Sequence, residues 1–205
     1  MKLLYIADPM CSWCYGFGPQ LRALLGELPG TPVEVVMGGL RPFNREPMSE
    51  RFRAMLREHW THVHEASGLP LAPAALEIGG FVYDTEPACR AVVTVRSMDP
   101  ARVLDFLAAV QTAFYRDIRD VTRANVLADI AAECGLPRES FLQALESGEM
   151  RDATREDFAT SQRLGVGGFP TLAAGIGDQL YLVSSGFSMA GVLRERLAEI
   201  VRRVG

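Results

Sequence analysis

The chain has 205 residues, 48% hydrophobic and 22% charged, enough to bury a core without disulfide staples. A net charge of −4 with no dense basic block argues against a nucleic-acid partner, and no apolar run approaches the ~20 residues that span a bilayer. Only two of the four cysteines stand at motif spacing, which fits a reducing compartment better than a stapled secreted domain.

In chain order, Lys2–Ala7 and Val33–Met37 are short, β-rich and almost wholly apolar, as strands buried on both faces of a parallel sheet should be. Residues 12 to about 28 read as a helix closed by Pro29-Gly30-Thr31-Pro32, which completes a βαβ unit. The N-terminal apolar stretch breaks at Asp8-Pro9, too short for a secretory leader, so a cytoplasmic protein is expected.

From about 41 to 164 the texture is helical. One helix opens near Ser49 and closes at Gly68, with Phe52, Met55, Leu56, His59, Trp60 and Val63 on one face. Thr85-Glu86-Pro87 opens another through about 97, and Asp99-Pro100 pairs an N-cap with an N1 proline for the next. Further helices are predicted over 123–134, 138–146 and 151–164. Strand signal returns at 171–174 and 180–184 around a glycine-containing hairpin connection. A last helix starts from a Ser188 N-cap, with Val192, Leu193, Leu197, Ile200, Val201 and Val204 as its buried stripe. One α/β sheet interrupted by a helical insertion explains this order better than two sequential domains, because neither half completes a core alone.

Cys11-Ser12-Trp13-Cys14 falls where the first strand ends and a helix can begin. Unpaired backbone N–H groups and the helix dipole there favour a thiolate, the species that exchanges disulfides. Cysteines at i and i+3 on one turn also approach disulfide distance. The first has the orphan N–H groups around it, while the second points further into the helix.

Together, Asp8-Pro9-Met10-Cys11-Ser12-Trp13-Cys14-Tyr15-Gly16-Phe17, Gly38-Gly39-Leu40-Arg41-Pro42 and Gly167-Gly168-Phe169-Pro170-Thr171 resemble the DsbA-like branch of the thioredoxin superfamily, closest to its FrnE-type, signal-less members. The resemblance implies a thioredoxin-like fold with a large all-helical insertion. The thioredoxin-like domain would take residues 1–40 and 165–205 with the helix at about 151–164, and the insertion about 41–150. It implies a thiol–disulfide oxidoreductase or isomerase in which Cys11 attacks and the buried Cys14 resolves a mixed disulfide. Ser12 and Trp13 would tune the thiols, with Trp13 either a ledge for substrate or packed against the insertion. Phe169-Pro170 would be a cis bond lying against the CxxC, the Phe169 backbone pairing with an extended substrate segment. Pro19 resembles the proline that kinks the active-site helix in thioredoxins, as a proline in a helix interior should. The implied partners are disulfide-containing proteins or peptides, with glutathione or a thioredoxin-type reductant recycling the pair; no nucleic acid, membrane, metal or cofactor is expected.

Asp8 is expected to cap the active-site helix. His59, His62 and His64 crowd one helix, but His64 projects away from the other two, so a three-ligand metal site is not expected. Cys89 and Cys134 read as small buried hydrophobes, with a disulfide between them left open. The alternative function is a glutathione-dependent isomerase or transferase of the hydroxychromene-carboxylate isomerase or kappa type. Those relatives typically carry serine in the first cysteine position; this chain has both sulfurs.

Overall fold

The computed structural model describes residues 1–204. Strands β1 (Lys2–Ala7), β2 (Val33–Met37), β3 (Thr171–Ile176) and β4 (Gln179–Ser185) form one mixed sheet in the order β2-β1-β3-β4. Parallel pairing sets Tyr5 of β1 opposite Val35, and antiparallel pairing sets it opposite Leu172 of β3. A strand paired on both sides buries alternate residues on opposite faces. Leu3, Tyr5 and Ala7 accordingly enter the main core, while Leu4 and Ile6 meet Val36 and Ala173 on the other face.

Helix α1 (Ser12–Gly26) joins β1 to β2. Five helices then intervene: α2 (Glu50–Ser67), α3 (Glu86–Met98), α4 (Val103–Tyr115), α5 (Ala124–Glu133) and α6 (Arg138–Leu145). Helix α7 (Gly148–Arg163) leads back to the β3–β4 hairpin, and α8 (Ala190–Val204) follows it. Local chemistry explains the ends of α2. The Ser49 hydroxyl accepts from the Phe52 N–H at 3.2 Å, and Gly68 (φ 73°) ends the helix in the left-handed conformation that glycine takes without steric cost.

The structure corrects several sequence expectations. Ser147 caps α7 through the Met150 N–H, so that helix begins before residue 151. Asp99 caps a short 3₁₀ turn, Pro100–Arg102, rather than α4 itself. A second 3₁₀ turn, Pro73–Glu77, is too short to show a helical period and was not expected. On α8 only Leu193 and Leu197 are fully buried; Val192, Val201 and Val204 flank that i, i+4 seam at 38–43% exposure. Helix α8 has α1 and β4 as its chief neighbours, and so narrow a contact cannot cover a six-residue stripe. Met55 is likewise exposed on α2.

One apolar core runs from β1 and α1 into the intervening helices. At its centre, Trp60 packs edge-on against Phe114 and Tyr115, with ring centroids 5.9 and 5.0 Å away. Phe81 and Tyr83 extend this aromatic cluster toward α1. A second link is polar. Asp157 of α7 accepts the Met37 N–H at 2.8 Å and two N–H bonds from Arg96 of α3, both 2.8 Å. Arg96 also donates to the Val35 carbonyl, so α3, α7 and β2 meet at one buried ion pair.

Candidate active site

β1 delivers the chain to Asp8, whose carbonyl accepts the Cys11 N–H at 3.1 Å in a tight turn. Cys11 is the N-cap of α1 in extended conformation, and its side chain makes no capping bond to the helix. The sulfur therefore sits at the helix mouth, beside N–H groups that have no partner within the helix. Cys11 is 6% exposed and Cys14 fully buried. The Cys14 thiol is pushed well above its usual range, chiefly by burial and then by the adjoining Cys11 sulfur. All four cysteines are free.

The second half of the site arrives from β3. The Phe169–Pro170 bond is cis, and the Cys11 thiol donates to the Phe169 carbonyl at 3.6 Å. Residues separated by 158 positions thus meet across the dithiol. In this arrangement the Phe169 carbonyl is taken by Cys11 rather than left for another chain. The Phe169 ring lies on Gly38, where a Cβ would come within 2.0 Å of the ring. Beside it Gly39 (φ 71°) receives the Phe158 ring, so the glycine pair after β2 provides the space the proline loop occupies. Gly38→Ala is expected to displace Phe169 and lower stability by about 1–3 kcal/mol. A urea midpoint equal to that of the parent would contradict this contact.

Ser12 is buried in the first turn of α1. Trp13 is half-buried and packs on both sides, edge-on to His59 of α2 at 5.6 Å and tilted against Phe187 at 5.7 Å. Its packing against the insertion is thus present, with one part of the ring still open. His64 serves elsewhere, its Nδ1 2.8 Å from the Leu69 carbonyl. Helix α1 continues through Pro19 to Gly26.

Asp8 does not cap α1. It is fully buried, and its carboxyl accepts the Met10 N–H at 2.8 Å, the Leu40 N–H at 2.7 Å and the Cys89 thiol at 3.3 Å. Burial raises the Asp8 carboxyl above its usual range, and these donors oppose the rise. Cys89 is therefore more than a small hydrophobe, while Cys134 is only half-buried at the end of α5.

Three tyrosines not singled out in the sequence also surround the thiols. Tyr83 donates to the Met10 carbonyl in the loop before Cys11. Tyr5 and Tyr115 are buried nearby; desolvation first, and the neighbouring sulfurs next for Tyr5, push its phenol far up. Tyr115 stacks on Tyr15 at 5.0 Å. For Tyr5 a signal existed, since it shares the core-facing parity of Leu3 and Ala7 on β1. Tyr83 and Tyr115 carry no local mark, because contacts spanning 73 or more positions leave none.

A dithiol at a helix N-terminus, facing a proline loop across a mixed four-stranded sheet, defines a thioredoxin-fold protein of the redox type. The chain belongs to the DSBA-like thioredoxin domain family, whose model matches residues 4–198. Among solved structures, a candidate protein disulfide isomerase from Nitrosomonas europaea is 36% identical, with both chains covered in full and a TM-score of 0.93. The cytosolic disulfide reductase DsbM from Pseudomonas aeruginosa is 28% identical, again with full coverage of both chains, at a TM-score of 0.82; it has also been solved with glutathione. The ClpXP adapter protein SpxH of Halalkalibacterium halodurans is 24% identical over 183 residues, and the match spans 83% of this chain but only 57% of that relative's length.

Proposed function

We propose that this chain exchanges disulfides through Cys11 and Cys14, chiefly as a reductase of protein or peptide disulfides. The observation that carries the reading is the placement of both sulfurs at the start of α1 with Cys11 turned onto the Phe169 carbonyl. In the first step the Cys11 thiolate attacks one sulfur of a substrate disulfide. A Cys11–substrate bond forms, the substrate S–S bond breaks, and the departing thiolate takes a proton from solvent. Cys14 then loses its proton and attacks the Cys11 sulfur. The Cys11–Cys14 bond forms, the second substrate thiol leaves, and two electrons have passed to substrate. A thiol such as glutathione, or a thioredoxin-type reductant, restores the dithiol.

Similarity to DsbM favours the reducing direction and a cytoplasmic site of action, and the glutathione held by that protein supports a small thiol as recycling partner. Among the described residues no helix is long and apolar enough to cross a membrane. Domain limits at 41 and about 150 are retained as part of this proposal. A glutathione-dependent isomerase is the weaker reading, because such a reaction leaves Cys14, buried against Cys11, without a task.

Cys11→Ser is expected to abolish insulin reduction with glutathione as donor while leaving the urea midpoint nearly unchanged. Parent-level reduction by that variant would overturn the assignment of the attacking sulfur.

A further inference from the structure

Asp8 reaches three separate parts of the chain. Its Oδ1 accepts from Met10 in the dithiol loop, and its Oδ2 accepts from Leu40 beyond β2 and from the Cys89 thiol on α3. It also borders Cys14: the Asp8 main chain bonds toward the Cys14 sulfur, and its carboxyl charge opposes formation of the Cys14 thiolate. Two backbone donors cannot be exchanged by mutation, but Cys89 can. It is wholly buried, and its hydrogen-bond partner is Asp8.

We propose that Cys89 is a positioning residue for disulfide exchange: its thiol holds the Asp8 carboxyl, and Asp8 takes the proton that Cys14 loses when it attacks the mixed disulfide. This rests on the dithiol reading above. In the step, the Cys14 S–H bond breaks and its proton passes to Asp8. The Cys14–Cys11 bond forms as the substrate thiolate leaves, and Asp8 returns the proton to solvent afterwards. A base works only while ionised. A donor on the carboxyl favours the ionised form, so the Cys89 thiol extends the pH range over which Asp8 can act. Other ionisable groups around this cluster are Cys11 on α1, Glu86 on α3, Tyr83 and Arg41 on the adjoining loops, and Tyr115 on α4. Glu86 is held by Arg90 at 2.8 Å. None of these hydrogen-bonds the Asp8 carboxyl among the described residues, whereas Cys89 does.

Stopped-flow reaction of the full chain with an aromatic disulfide, 5,5′-dithiobis(2-nitrobenzoate), separates the two steps. The first nitrothiolate reports attack by Cys11, and the second reports attack by Cys14 on the mixed disulfide. The second phase is expected to show an inflection that Asp8→Asn removes. In Cys89→Ala that inflection moves up by about one pH unit, because one donor to a charged acceptor is lost. The second phase is then roughly tenfold slower below the inflection and converges with the parent above it. Cys89→Ser keeps a donor and returns the inflection to the parent position or below. An inflection that stays in place in Cys89→Ala, or one that survives in Asp8→Asn, would overturn the proposal. Release of a single nitrothiolate by the parent would instead remove the dithiol reading, and this inference with it.

Discussion

Cys14→Ala protein should attack disulfides and then stall. With the second sulfur gone, the Cys11–substrate bond can be cut only by a thiol from solution. An oriented neighbouring group has an effective concentration of about 10⁵ M or more, against millimolar glutathione. Even where burial makes Cys14 a reluctant nucleophile, turnover should therefore fall on the order of a hundredfold or more. Covalent adducts with insulin should accumulate on non-reducing gels and disappear with dithiothreitol. In the parent, the same adducts should shorten in lifetime as pH rises. The Cys14 thiol is held far above its usual range by desolvation and by Cys11, so each step toward alkaline pH enlarges its small thiolate fraction. Unchanged turnover with no trapped adduct in Cys14→Ala would mean that release does not pass through this sulfur.

Arg96→Met should be the most damaging single change among the polar contacts. Asp157 has a side chain only 10% exposed and receives two bonds from Arg96. Removing the guanidinium leaves a carboxylate in the interior with the Met37 N–H as its remaining donor. Breaking a buried pair in this way costs about 3–5 kcal/mol. The Val35 carbonyl at the end of β2 also loses a donor. Urea unfolding followed by circular dichroism reads the loss as a lowered midpoint. Arg96→Met with Asp157→Leu should recover part of it, since the uncompensated charge is gone while the Met37 N–H stays unsatisfied. A single variant as stable as the parent would show that the pair is solvated in solution.

Local chemistry in the sequence announced much of this molecule. β1 and β2 end where their apolar runs end, and α2 begins and stops at Ser49 and Gly68 because a hydroxyl cap and a left-handed glycine are local devices. The CxxC and the Phe169-Pro170 pair were visible as motifs, and the fold brings them together. What escaped depends on distance along the chain. Asp8 looked like a cap because aspartate before a helix often is one; its carboxyl instead turns to Leu40 and Cys89, 32 and 81 positions away. The tyrosines under the thiols and the Arg96–Asp157 pair are equally long-range. The α8 stripe failed for another reason: apolar periodicity marks the side a helix can bury, but the width of the neighbouring surface decides how much of it is buried.

The loop before Cys11 is fastened by groups that come from outside its own strand and helix: Leu40 and Cys89 through Asp8, and Tyr83 through the Met10 carbonyl. A transplant of the four-residue motif into another scaffold would leave those moorings behind. An excised version lacking residues 41–150 would do the same, stranding a buried acid with two of its three ties intact. Reactivity here is a shared property of sheet and helices, and neither portion can be traded away as a module.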